Sequence, residues 1–126
     1  MMKVLVRVVV GLNGAVFLGL GLGFLLAPDL LAPAFHLQPV GAAGLNTVRG
    51  DFGALFLGMA AVGLHAAVKA DGRFLPLAVA GLCLVLLGRT IGLVFDGSTT
   101  SGLTAMAVEL TIVVSFVVGH RLLRPA

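Results

Sequence analysis

Charged residues, tryptophan, tyrosine and cysteine are scarce or missing in this sequence of 126 residues. Only 10% of the residues are charged and 60% are hydrophobic, whereas a soluble domain usually carries about 25% charged residues. A water-soluble fold of this size could not bury so much apolar surface, because small domains leave much of their surface exposed. The composition therefore excludes an ordinary soluble domain and indicates a protein whose solvent is lipid.

The chain is basic, with a net charge of +3 and a pI of about 10.0, and it has no Trp or Tyr. The eight Lys and Arg residues are scattered singly between apolar runs, so neither a basic patch nor stacking residues indicate nucleic acid as a partner. Basic cytoplasmic loops give a membrane protein the same pI. A single cysteine, Cys83, excludes an intrachain disulfide.

Four long apolar runs are present, each within the roughly 17–25 residues that a helix needs to cross the hydrocarbon. They predict helices at about 4–27, 46–68, 74–95 and 102–120. None alternates as barrel strands do, and a backbone in lipid must satisfy its own hydrogen bonds. We predict an all-α fold, a single domain over residues 1–126 forming an integral membrane up-down four-helix bundle. Pro28, Pro33 and Pro39 break the chain in an outer interfacial loop at 28–45.

The positions of the basic residues predict the orientation of the helices. The loops 28–45 and 96–101 contain no Lys or Arg. Six of the eight basic residues fall on the other side: Lys3, Arg7, Lys69, Arg73, Arg121 and Arg124. Because cytoplasmic loops carry the excess of Lys and Arg, we expect a multi-pass protein of the cell (inner) membrane with both termini cytoplasmic, an N-in/C-in arrangement.

Small residues recur at every fourth position in the first two runs. The first run has Gly11, Ala15, Gly19 and Gly23, and the second has Gly50, Ala54 and Gly58. Such stripes let helix backbones approach closely in lipid. They favour tight packing within one bundle, and the alternative is that a surplus stripe forms a homodimer.

Five ionisable residues interrupt the apolar runs: Arg49, Asp51, Arg89, Asp96 and Glu109. An ionisable residue in the membrane needs a partner or a water-filled cavity. Arg89 and Glu109 are each ten positions from Thr99, which predicts that they lie at equal depth and form an ion pair. Asp96 follows Arg89 by two helical turns, so both should share one face. We predict a charge cluster in the outer half of the bundle, either a structural lock on helix register or a ligand or proton site.

Other polar residues predict no catalytic or metal site. The three histidines do not converge, so neither a metal nor a cofactor is expected. Asn13 is predicted to donate an interhelical hydrogen bond. The residues expected to support the charge cluster are Asn13, Asn46, Gly50, Gly53 and Gly92.

Several of these positions together resemble a known family. Arg49-Gly50 followed by Gly53 and Leu57-Gly58, Arg89 with Gly92, Asp96-Gly97, and Glu109 resemble the small bacterial membrane proteins catalogued as domain of unknown function 4345. The likeness extends from the first helix to the fourth. It implies a four-helix membrane protein with these charged residues as signature positions, and it implies no activity.

Three functions fit these observations. The first is binding of a lipophilic or amphipathic ligand, or support of a membrane complex, through the Arg and acid cluster, with membrane lipid as the surrounding partner. The alternative is a dimeric proton-coupled transporter in which Glu109 exchanges a proton for a substrate. A lipid-modifying enzyme ranks last, because the sequence offers no evident nucleophile or metal.

Overall fold

The computed structural model describes residues 1–125, which form helices and turns and contain no strand. Four helices are long and apolar enough to cross a membrane. They are α1 (Met2–Leu26), α3 (Gly41–Lys69), α4 (Leu75–Phe95) and α5 (Thr100–Leu122), with a short helix α2 (Pro28–Leu31) and a 3-10 turn (Ala32–Phe35) between α1 and α3. The predicted all-α fold with four membrane-length helices is confirmed.

The main difference from the predicted boundaries is the start of α3. This helix begins at Gly41 and not at about residue 46. The prediction followed the apolar run, but Pro39 is the last residue that prevents a helix. Val40 is extended and Gly41 has a φ of +60°, a conformation that glycine adopts at little cost. The segment that joins α1 to α3 is therefore shorter than the predicted loop.

The joining segment folds back onto α1 and α3. Proline occupies the first turn of both α2 and the 3-10 turn, where its missing N–H costs nothing. The ring of Phe35 lies 5.0 Å from that of Phe24 and 5.8 Å from that of Phe56. Phe24 is fully buried, so the packing of these aromatic rings stabilises the segment against the two helices.

The closest packing in the molecule is between α1 and α3, which run antiparallel. A Cβ atom on Gly14 would lie 2.8 Å from the backbone nitrogen of Leu64, and one on Gly21 would lie 2.9 Å from that of Leu57. Only glycine permits this approach at the two positions. Gly19, which belongs to the predicted stripe, faces open space. The packing face of α1 therefore runs through Gly14 and Gly21.

The two ends of the molecule differ. The terminal end comprises the start of α1, the loop 70–74 and the end of α5. Hydrogen bonds connect these segments. The backbone N–H of Gly72 donates to the carbonyl of Leu123 (2.8 Å), and Nδ1 of His120 donates to the carbonyl of Gly72 (2.9 Å). Arg7 Nε donates to the carbonyl of Ala67 (2.8 Å).

The distal end, defined by the joining segment 27–40 and the turn 96–99, is more open around α4 and α5. The buried residues of α4 are Leu75, Ala78 and Leu82, and those of α5 are Phe116 and Gly119. All five lie toward the terminal end. Residues 83–95 and 100–115 contain no buried residue, although Ile112 and Val113 pack against the core. The halves of α4 and α5 nearer the distal end pack beside each other.

Candidate functional site

The centre of the candidate site is the ion pair between Arg89 of α4 and Glu109 of α5. Arg89 Nε donates to Glu109 Oε1 (3.0 Å) and Oε2 (2.8 Å). The pair predicted from the equal spacing around Thr99 is therefore present. The Glu109 side chain is 16% exposed and that of Arg89 is 36% exposed, so the arginine is the partner that remains accessible.

The geometry of this pair leaves much of Arg89 available. Both hydrogen bonds use Nε, which leaves the N–H groups of the two terminal nitrogens outside the pair. A guanidinium carries five N–H donors in a planar fork that matches carboxylate and phosphate oxygens. Arg89 can therefore hold Glu109 and bind a second anionic group at the same time.

A groove of about 260 Å³ opens beside Arg89, toward the distal end. We name it the Arg89 groove. Its lining residues come from the ends of two helices and the turn between them: Arg89, Gly92, Leu93, Asp96, Gly97, Thr99, Gly102 and Met106. The groove combines apolar and polar lining groups, and its volume lies just below the roughly 300–1,000 Å³ of usual small-molecule sites.

Asp96 supplies a second charge to the Arg89 groove. It is the C-cap of α4 and is exposed. Its Oδ2 would lie 3.5 Å from a Cβ atom on Gly92, so the carboxylate is turned back along α4 in the direction of Arg89. Gly92 carries no side chain that would fill the space between the two charges. The predicted common face of Arg89, Gly92 and Asp96 is present in this groove.

The start of α5 closes the distal side of the groove. Thr99 is the N-cap of this helix, and its Oγ1 accepts a hydrogen bond from the backbone N–H of Gly102 (3.0 Å). This is the usual capping interaction for the first turn of a helix. The positive end of the α5 dipole therefore lies at the distal side of the groove, where Asp96 also lies.

Arg49 and Asp51 do not line the Arg89 groove. The Nη1 group of Arg49 donates to the carbonyl of Leu25, at the end of α1. The Asp51 side chain is exposed. Of the five residues predicted as a cluster, Arg89 and Asp96 line one groove and Glu109 is paired with Arg89. The other two lie elsewhere on α3.

The supporting residues also divide between these regions. Gly92 belongs to the groove. Gly53 is buried against α1, whereas Gly50 faces open space and Asn46 is exposed. Asn13 Nδ2 donates to Ser115 Oγ (2.9 Å), so the predicted interhelical hydrogen bond is present and joins α1 to α5.

A second polar site, at the terminal end, was not predicted from the sequence. Asp71 is buried, and it accepts hydrogen bonds from the backbone N–H (3.0 Å) and Nε (2.6 Å) of Arg73. These bonds, the backbone bond first, hold the pKa of Asp71 below its ordinary value, against the opposing effect of burial. His65 Nε2 lies 3.7 Å from Asp71 Oδ2. The only sequence signal was the Asp-Gly turn between two apolar runs.

Within residues 1–125 the structure brings no three His, Cys, Asp or Glu side chains together in a group that could hold a metal ion. Cys83 is exposed on α4. The helices and the groove together define an all-helical protein with four membrane-length helices and a charged cleft at one end.

The chain matches one known protein family. The family described as "Domain of unknown function (DUF4345)" matches residues 5–120, and the chain belongs to it. No curated protein and no solved structure matches the chain.

Proposed function

We propose that this protein crosses the bacterial inner membrane as an up-down four-helix bundle, with both termini in the cytoplasm, and binds an amphipathic molecule. The polar head of the ligand lies in the Arg89 groove and its apolar part lies against the distal halves of α4 and α5. The groove, with the accessible donors of Arg89, is the observation that carries this proposal.

The apolar surroundings of the groove support an amphipathic ligand over a wholly polar one. Large apolar side chains next to it are exposed, including Ile91 (50%), Phe95 (81%) and Leu103 (49%). In a membrane these side chains contact acyl chains at no cost. The terminal N–H groups of Arg89 lie outside its pair with Glu109 and still need acceptors, which the head group of an amphipathic ligand supplies.

The contacts of Glu109 favour binding over proton-coupled transport. Arg89 Nε already lies against both carboxylate oxygens of Glu109. A transport cycle in which Glu109 takes up a proton would have to break this pair at each turn. Ligand binding by the remaining donors of Arg89 leaves the pair intact.

The test uses the full chain purified in detergent and native mass spectrometry to count the lipid molecules that remain bound. Gly92→Leu fills the groove without changing a charge, because a side chain at this position meets only Asp96 Oδ2. We expect the wild-type protein to retain a lipid and Gly92→Leu to lose it. Gly19→Leu is the matched control, since Gly19 of α1 also faces open space. Equal retention by the two variants would contradict the proposal.

A further inference from the structure

The Arg89 groove contains two separate binding groups of opposite charge. Glu109 neutralises the formal charge of Arg89, but the terminal N–H groups of the arginine still require acceptors. Asp96 lines the same groove, and no Lys, Arg or His nitrogen within residues 1–125 forms an ion pair with it. A ligand in this groove therefore meets donors at one point and an uncompensated carboxylate at another.

Neither a purely anionic nor a purely cationic head group satisfies both points. An anionic group would accept from Arg89 but would be repelled by Asp96, and a cationic group would leave the donors of Arg89 unpaired. A group with an anion and a cation a short distance apart satisfies both. The charges of the groove therefore favour a zwitterionic head group.

The spacing of the two points suits such a group. The Cα atoms of Arg89 and Asp96 are separated by about 10 Å along the helix, at 1.5 Å per residue. The carboxylate of Asp96 is turned back toward Gly92, so it lies closer to Arg89 than the Cα atoms do. It nevertheless stays outside the 4.0 Å at which an ion pair would form. Because both residues line the groove without pairing with each other, one ligand group can contact both of them.

The order of the charges matches a phospholipid whose acyl chains point toward the membrane centre. Arg89 lies deeper along α4, and Asp96 lies at the distal end of that helix. A phosphate next to the acyl chains would meet Arg89, which is the side chain best suited to phosphate oxygens. The cation beyond the phosphate would then meet Asp96.

The lining of the groove favours a primary ammonium over a quaternary one. The residues that line the groove include no aromatic side chain, whereas quaternary ammonium groups are usually bound by aromatic cages. A primary ammonium can instead donate hydrogen bonds to the carboxylate of Asp96. We infer that the Arg89 groove binds a phosphoethanolamine group, with the phosphate on Arg89 and the ammonium on Asp96. This inference rests on the proposed function and names the head group of its ligand.

The experiment compares three lipids with identical acyl chains and with phosphoethanolamine, phosphocholine or phosphoglycerol heads, added in competition to the delipidated full chain. Native mass spectrometry gives the ratio of the bound species. We expect the phosphoethanolamine lipid to be favoured by about 1.4-fold to fivefold, the value of an exposed ion pair. Equal binding of the three, or a preference for phosphoglycerol, would overturn the assignment while leaving a bound lipid in support of the proposed function.

Two variants test the two contacts separately. Asp96→Asn should remove the preference for the ammonium but keep binding through the phosphate, and Asp29→Asn, a change at an exposed acid of α2, should leave the preference unchanged. Arg89→Lys keeps a positive charge beside Glu109 but removes the spare planar donors, so it should weaken binding of all three lipids. An unchanged preference in Asp96→Asn would overturn the inference. Retention of no lipid by the wild-type protein would overturn both the inference and the proposed function.

The source of the group is settled by adding water-soluble phosphoethanolamine to the lipid-loaded protein. If the head group acts as part of a lipid, the free compound at equal concentration displaces little of it. Displacement by the free compound at that concentration would keep the phosphoethanolamine assignment and overturn the amphipathic ligand of the proposed function.

Discussion

At the scale of single residues, the ion pair between Arg89 and Glu109 was predictable and the full charge cluster was not. A short turn fixes the register of the two helices it joins, so equal spacing from Thr99 was sufficient to bring the two side chains level. Arg49 and Asp51 are two positions apart on one helix, and side chains at that spacing do not face the same way. Which of them faces a neighbour depends on how α3 is rotated about its axis, and the local spacing does not give that rotation.

The Arg89–Glu109 pair predicts a non-additive effect on stability. Arg89→Leu or Glu109→Leu alone leaves an unaccompanied charge in the membrane, at a cost of about 2–3 kcal/mol. The double variant leaves none and should cost less than either single variant, because an apolar pair often replaces an ion pair without loss. The wild-type protein, the two single variants and the double variant are unfolded in mixed micelles with increasing SDS, which gives the change in the free energy of unfolding for each variant. Additive losses would show that the two residues act independently.

Asp71 predicts a dependence of stability on pH. Since its pKa is lowered in the folded protein, the carboxylate stabilises the fold at any pH above its unfolded pKa of about 3.9, and this contribution is lost as the pH falls through the folded pKa. His65 and Arg73 are the ionisable groups in contact with it. Asp71→Asn should therefore lower Tm at neutral pH.

The difference in Tm between Asp71→Asn and the wild-type protein should shrink as both are acidified to about pH 2. Asp29→Asn is the control, because Asp29 is exposed in α2 and should give a similar Tm to wild type throughout. A difference for Asp71→Asn that is as large in acid as at neutral pH would exclude a role for the charge of this carboxylate.

At the scale of helices, the sequence predicted which segments are helical better than where they begin or which faces they bury. Length and apolar character suffice for the first, because only a helix satisfies its backbone in lipid. The start of α3 at Gly41 was missed because an apolar run marks the part of a helix in the hydrocarbon and not the helix itself. The small residues spaced by four in α1 predicted close packing, and they differ in the structure: Gly11 approaches Ala67 of α3, whereas Gly19 faces open space.

The close approach of α1 and α3 predicts that glycines of the same helix differ sharply in their tolerance of alanine. Gly14→Ala would place a methyl group 2.8 Å from the backbone nitrogen of Leu64, so the helices must separate, at a cost of about 1–3 kcal/mol. Gly19→Ala meets nothing within 4 Å and should be neutral or slightly stabilising, because alanine favours helix over glycine. SDS unfolding midpoints of the two variants provide the comparison. Equal destabilisation would show that the contact face lies elsewhere on α1.

At the scale of the whole molecule, the charges separate along the long axis. At the terminal end, Arg7 bonds to Ala67 of α3, Arg73 to Asp71 and Arg124 to His120 of α5. Lys3, Lys69 and Arg121 are their neighbours in sequence. The distal end carries the exposed acids Asp29 and Asp96. This polarity supports the proposed orientation, because basic residues near short loops are retained in the cytoplasm.

The proposed orientation predicts which loops a membrane-impermeant maleimide can reach in intact cells. In a Cys83→Ala background, Ser98→Cys in the distal turn should be labelled directly. Lys69→Cys at the terminal end should be labelled only after the membrane is opened. The Arg89 groove opens toward the distal end, so this result would also place its mouth in the outer leaflet, where a bound lipid would enter. The reverse pattern would turn the groove toward the cytoplasmic leaflet and would show that the six basic residues do not determine the topology.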